Sequence, residues 1–230
     1  MDMTNVVATT AGIDRSAPLA AADTIARIGP NAATQVLAAF RIGGEQGEAL
    51  AKQVFTTAGV AEWLHHPPAA MVDERLVGRI HRAVRAALSP EAAARLLAEA
   101  GRLTANYLLA WRIPRPARIA LTCLPPRPAA ACLLPAIRRH AWTFAGSGQF
   151  TSHAGPPAVF TLTGNPLCAG ERSGVPLCAW HAAVFERLFQ QLVSSRAHVS
   201  ETECEARGDG ACRFIVDWRG RRTPPYRRRR

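Results

Sequence analysis

Apolar residues recur at helical spacing through the first two-thirds of the chain and at alternating spacing beyond Gln149. A first helix is predicted from Gly29-Pro30-Asn31, with Asn31 as N-cap and Val36, Leu37, Phe40 and Ile42 on its apolar side. Gly43-Gly44 interrupts the pattern, and residues 49–58 resume it as a second helix. Trp63-Leu64 precede His65-His66-Pro67-Pro68, where two prolines enforce a break. A third helix over 73–88 places Leu76, Val77, Ile80 and Val84 three and four apart. Ser89-Pro90-Glu91 opens a fourth: Ser caps, Pro suits the first turn and Glu complements the dipole. It can reach Trp111, before Ile113-Pro114-Arg115-Pro116 stops it. Four prolines within 124–137 leave room for one short helix around LLPAI, with irregular flanks.

QFTSHA and Ala158-Val-Phe-Thr-Leu-Thr163 read as strands, and Gly155-Pro156-Pro157 as the turn of their hairpin. A loop from Cys168 then leads into a helix over about 178–195. One face of that helix carries His181, Phe185, Leu188 and Leu192, with Trp180, Val184 and Phe189 beside them. Glu186, Arg187, Gln190, Gln191 and Ser194 lie toward the other side. A last hairpin closes around Arg207-Gly208-Asp209-Gly210, whose Gly and Asp tolerate the positive φ of tight turns. Helices first and then strands joined by tight turns indicate an α+β fold, the N-terminal helices packed with an antiparallel sheet. A single domain is expected over 25–218. Residues 1–24, small, polar and aperiodic, read as a flexible leader.

The net charge of +11 is unevenly placed. Residues 219–230 hold seven arginines and no acid, which leaves +4 for the other 218 residues. This Arg-rich tail suits a solvated end or attachment to an anionic membrane surface, where each arginine contributes about 1 kcal/mol. Nucleic acid ranks last, since no helix-turn-helix, zinc-finger or aromatic-basic pattern accompanies the charge. No stretch of 18 apolar residues is present, and the N-terminus lacks a secretory pattern. A cytoplasmic location is therefore expected, with its six cysteines reduced or metal-bound rather than paired.

Cys204 and Cys212 flank a seven-residue loop centred on Gly208. So centred, the loop sets them opposite each other with Cβ atoms about 5 Å apart, and a loop shifted by half a residue does not. Two such thiolates supply half of a tetrahedral zinc site, which Cys178 and Cys168 would complete. The spacing is not that of a standard finger, and small buried core cysteines remain the other reading. His181 likewise has two readings: a hydrogen-bonded core histidine, or an axial ligand to the metal of a macrocycle. No dinucleotide fingerprint, Walker loop, nucleophile elbow or H-E-x-x-H is visible, so a hydride donor has no evident motif.

Several of these residues together carry a resemblance: Gly164-Asn165-Pro166, the Phe185-Glu186-Arg187 helix, and Glu201-x-x-Cys204 followed by Gly208-Asp209-x-x-Cys212-Arg213-Phe214. The segment resembles the 4-vinyl reductase domain family, and within it the BchJ-like branch of bacteriochlorophyll biosynthesis in purple photosynthetic bacteria. The specific motifs lie at about 155–217, while the helical N-terminal part agrees in character and length. The resemblance implies a ligand-binding α/β fold related to trafficking-complex subunits and nitric-oxide sensors. It implies as ligand a divinyl protochlorophyllide or chlorophyllide, whose 8-vinyl (old 4-vinyl) group becomes ethyl. Trp180, His181, Phe185 and Leu188 would then contact the pigment, and Cys168, Cys178, Cys204 and Cys212 would hold zinc. Cys204 and Cys212 match the hairpin cysteines of the family better than the other two do. NADPH or a flavin is required only if the chain is itself the reductase; otherwise it holds the pigment for a separate one. Other enzymes of the pathway are the implied partners, a homodimer is compatible, and the photosynthetic membrane is a surface it could touch. A small-aromatic sensor without catalysis is the alternative function, and an assembly scaffold the plainest one.

Overall fold

The computed structural model describes residues 25–219, so the leader and all of the Arg-rich tail but Arg219 lie outside the described residues. The fold is α+β. It begins with a two-residue strand, β1 (Arg27–Ile28), followed by α1 (Asn31–Arg41) and α2 (Gly44–Thr57). Asn31 does not cap α1. Pro30 already has helical angles and its carbonyl accepts from the Ala33 and Thr34 amides, so proline's fixed φ starts the helix one residue early. Ile42 falls beyond the last turn of α1 and is exposed rather than part of its apolar side. The second helix starts at Gly44, five residues ahead of the apolar pattern, because its first turn lies on the surface.

Strand β2 (Val72–Asp73) pairs antiparallel with β1, a contact between short segments that local periodicity does not signal. Asp73 then caps α3 (Glu74–Ala87), accepting the Arg75 N–H at 2.8 Å. Ser89 caps α4 (Pro90–Tyr107) as its sequence requires, and one π-type turn over Leu108–Arg112 ends that helix. The proline-rich stretch forms two helices, where one short helix was expected: α5 (Arg115–Cys123) and α6 (Pro126–Arg139). Pro116, Pro126 and Pro128 fall in first turns, where no intrahelical N–H is needed. Only Pro135 lies inside a helix. A four-residue helix, α7 (Trp142–Ala145), leads into the sheet.

Strands β3 (Gln149–His153) and β4 (Ala158–Thr163) form the expected hairpin. After a long loop come α8 (Ala179–Leu192), β5 (His198–Glu203) and β6 (Cys212–Asp217). All neighbours in this sheet are antiparallel, in the order β3-β4-β6-β5. The last strand therefore inserts between β4 and β5. Ala158, Phe160 and Leu162 of β4 and Cys212, Phe214 and Val216 of β6 point to one buried face. Helix α8 covers that face, α4 lies against α8, and α1 against α4. Gly101 lets α4 and α8 approach closely: a Cβ there would stand 2.3 Å from the Trp180 carbonyl oxygen.

Candidate metal centre

Four chain segments meet at the head of α8. Cys168 comes from the loop after β4, Cys178 stands at the start of α8, Cys204 follows β5, and Cys212 opens β6. All four are buried, and their sulfurs lie within 4.8 Å of one another. Cys178 Sγ is 3.4 Å from Cys212 and 3.9 Å from both Cys168 and Cys204. Cys212 is 3.8 Å from Cys168 and 4.0 Å from Cys204. None of these separations is a disulfide, which needs about 2.05 Å. Sulfurs about 2.3 Å from a central zinc would form a tetrahedron with edges of about 3.8 Å. Five edges of this cluster match that figure to within half an ångström, so the donor set fits zinc in number, chemistry and spacing. Cys123 and Cys132 are exposed and lie outside the cluster.

The hairpin reaches this geometry through a bulge. Glu201 pairs with Phe214 but Glu203 with Arg213, so Thr202 is an extra residue. Without it Cys212 would face Glu203, and Cys204 would alternate to the opposite side of the sheet. Gly208 takes the left-handed conformation that the connecting turn needs, with φ of 85°.

Nearly every polar residue of the motif segment holds a backbone group beside a sulfur. Glu201 accepts the Cys178 N–H at 2.8 Å, and Asp209 the Cys204 N–H at 2.8 Å. Glu205 accepts the Gly164 and Asn165 amides at 2.6 and 2.8 Å. The buried Asn165 side chain donates to Cys178 Sγ at 3.1 Å and to Cys212 Sγ at 3.5 Å. The Leu177 N–H points at Cys204 Sγ from 3.5 Å. Helix α3 secures the remaining segment: Arg82 donates to the Ala169 carbonyl, and Arg85 to the Leu167 carbonyl and the Glu171 carboxylate. Gly78 gives that loop room, since a Cβ would stand 2.6 Å from the Pro166 carbonyl oxygen. These are outer contacts of the kind that orient metal ligands. Sequence reasoning placed the four cysteines but assigned no role to Asn165, Glu205 or Asp209. The signal was a run of short acids and an amide beside cysteines, residues that cap backbone amides readily.

Protons are shared unevenly among the sulfurs. Hydrogen bonds from the Cys168 and Cys178 thiols, then contacts with Cys212 and the Leu177 amide, hold Cys204 well below the ordinary thiol range. Contacts with the other three sulfurs, and burial, push Cys178 well above it. Burial, with the charge on Cys204 behind it, pushes the Glu201 carboxyl up to about 9.

The residues expected to face a ligand adjoin this cluster on α8. Trp180, His181, Phe185 and Leu188 are brought together and all are buried. They stand in an aromatic wall in which Phe144, Phe150, Phe160 and Phe214 meet Phe185 at 4.9–5.9 Å between ring centres. His181 Nε2 lies 3.2 Å from the Phe144 carbonyl oxygen, to which it donates, while Nδ1 is buried without a partner. Burial lowers the His181 pKa to about 4, so the ring is neutral. A surface cleft of about 330 Å³ opens elsewhere, between α3 and the Gly164–Pro166 loop, with Arg75, Arg79, Arg82 and Glu205 on its walls. None of the four aromatic-wall residues lines it.

Residues 158–217, which span β4 to β6 and contain all four clustered cysteines, match the 4-vinyl reductase domain. Over 195 residues the chain is 45% identical to the Bacteriochlorophyll synthase 23 kDa chain of Cereibacter sphaeroides, covering 85% of this chain and 92% of that protein. The protein of the same name from Rhodobacter capsulatus is 39% identical over 197 residues, covering 86% of this chain and 90% of that one.

Proposed function

We infer the function from a premise these relatives supply: the chain belongs to the family of the bacteriochlorophyll synthase 23 kDa chains, and its part is in bacteriochlorophyll biosynthesis. Within that pathway, we propose, it binds divinyl protochlorophyllide or chlorophyllide at the step that converts the 8-vinyl group to ethyl, and presents it to a separate reductase.

The observation that carries this reading is His181. A neutral imidazole with an unpartnered, buried Nδ1, set in an aromatic wall, offers an axial ligand to a macrocycle metal and flat apolar faces to the ring around it. Trp180, Phe185 and Leu188 supply the apolar contacts. Phe144, half-buried on the four-residue α7, covers the His181 side of the wall, so entry of a ring requires Phe144 to give way. Partners in this reading are the pigment and the other enzymes of the pathway.

The four cysteines hold one zinc ion in this proposal. With four protein donors and no open position the ion would be structural, clamping the loop after β4, the head of α8 and the β5–β6 hairpin into one unit. It would fix the helix that carries His181 relative to the sheet, and no chemistry on the pigment passes through it.

A second reading, a sensor of small aromatics, draws on the tightness of the wall. Trp180 and His181 are 4.9 Å apart between ring centres, as are Phe160 and Phe185, so a small ligand displaces fewer rings than a tetrapyrrole.

Time-resolved absorbance of the purified chain mixed with divinyl chlorophyllide and NADPH tests the proposal. The expected result is an immediate band shift that stays fixed and is weakened in His181→Phe. A continuing drift to the monovinyl spectrum, absent without protein, would make the chain the reductase itself. No shift with pigment, together with binding of small aromatics, would replace the pigment reading by the sensor.

A further inference from the structure

We propose that α5 and the turns at its two ends form a face that docks on an anionic lipid bilayer. Its basis is independent of the cysteine cluster and of the pigment reading. Residues 100–170 contain seven arginines and not one Asp or Glu. In a chain with 17 acids elsewhere, this is a long stretch whose positive charge has no acid of its own to neutralise it. Six of those arginines fall between Trp111 and Trp142, the region that contains α5 and α6.

Helix α5 is barely packed. None of its nine residues is buried, and only Arg118 and Leu121 are even half-buried, Leu121 resting against the core. Its outward side carries Arg115 and, one turn on, Ile119, which is 54% exposed. Trp111 precedes it at 78% exposure, the highest among the exposed large apolar side chains, and Leu124 ends it at 39%. Apolar and cationic side chains thus share one surface element without an acid among them.

That mixture selects its partner. Exposed tryptophan is at home at the boundary between headgroups and acyl chains, isoleucine and leucine gain by burial beneath it, and arginines reach back to lipid phosphates. A nine-residue helix is about 13 Å long, which suits lying in the interface and not crossing it. No helix among the described residues is long and apolar enough to span a bilayer. The charge complementarity thus points to anionic headgroups.

Cys123, exposed on α5, provides the test. The full chain with Cys132→Ser, labelled at Cys123 with an environment-sensitive fluorophore, is mixed with vesicles of phosphatidylcholine or of an equimolar phosphatidylcholine–phosphatidylglycerol mixture. The expected result is a blue shift of the label with the anionic vesicles only. The double variant Arg115→Glu/Ile119→Asp should keep the wild-type melting temperature and lose about tenfold in vesicle affinity. Co-sedimentation with an unmoved label would assign attachment to the Arg-rich tail and overturn the proposal, as would no co-sedimentation. A label already blue-shifted in a dimer without lipid would overturn it in favour of a second copy of the chain.

Discussion

The Asn165 side-chain amide stands 3.1 Å from Cys178 Sγ, inside the core and on the solvent-free side of the cysteine cluster. Its oxygen accepts the Leu167 N–H at 3.0 Å, which fixes the orientation of the amide and aims its nitrogen at the sulfurs. The loop that supplies Cys168 and the helix that supplies Cys178 are thereby joined through one side chain. An N–H donor beside a thiolate stabilises its charge, so Asn165 favours the form that binds metal.

Asn165→Leu keeps the volume and removes the donor. The outer contact is worth about 10- to 100-fold in metal affinity, and a loss in that range is expected in competition against a chromogenic zinc chelator. Unchanged affinity would reduce Asn165 to a loop-shaping residue.

Elemental analysis of the purified chain should give one zinc per molecule. The value should stay at one in Cys123→Ser/Cys132→Ser, whose thiols are exposed, and fall in Cys178→Ser. Chelation should lower the melting temperature, because the four sulfurs and the segments they anchor lose their common tie. A metal-free chain with the same melting temperature would leave the cluster as packed core thiols.

Gly101→Ala tests the packing that seats α8. The added methyl meets the Trp180 carbonyl oxygen at 2.3 Å and the Ala183 Cβ at 2.9 Å, both on a well-packed helix. Overpacking of this kind costs about 1–3 kcal/mol, measurable as a lowered denaturation midpoint. Because the shift falls on the turn that carries His181, ligand binding by α8 should weaken with it.

Acid sensitivity follows from the buried histidines. Burial, then the charge of Arg85, lowers the His81 pKa to about 3, although its Nε2 donates to the Ala32 carbonyl at 2.9 Å. The unfolded chain takes up a proton near pH 6.5 and the folded chain does not, so stability falls as pH drops from about 6.5 toward 3. At pH 5 this costs roughly 2 kcal/mol. His81→Gln keeps a donor for Ala32 and removes the titration. The melting temperature of wild type relative to His81→Gln should therefore decline on going from pH 7 to pH 5. A constant difference would mean that His81 is protonated in the fold.

The sequence by itself determined the parts governed by neighbouring residues. Ser89 and Pro90 start α4 because the capping hydroxyl and the fixed φ act within one turn. The apolar stripe of α8 and the β3–β4 hairpin follow from periodicity, and the four cysteines from their density around one helix and one hairpin. Two helices hid among prolines, because proline's effect depends on whether it falls in a first turn, which composition does not reveal. Only the tertiary structure decided that β6 runs between β4 and β5, that Thr202 bulges to turn Cys204 inward, and that Asn165 and three carboxylates hold the amides and sulfurs of the cluster. The same holds for the face of α8. Periodicity shows that it is covered, but whether by ligand or by protein depends on Phe144, Phe150 and Phe160, which lie 25 to 41 positions before Phe185. Such contacts are set by how the whole chain closes on itself, since register and burial are gained only when distant segments pack together.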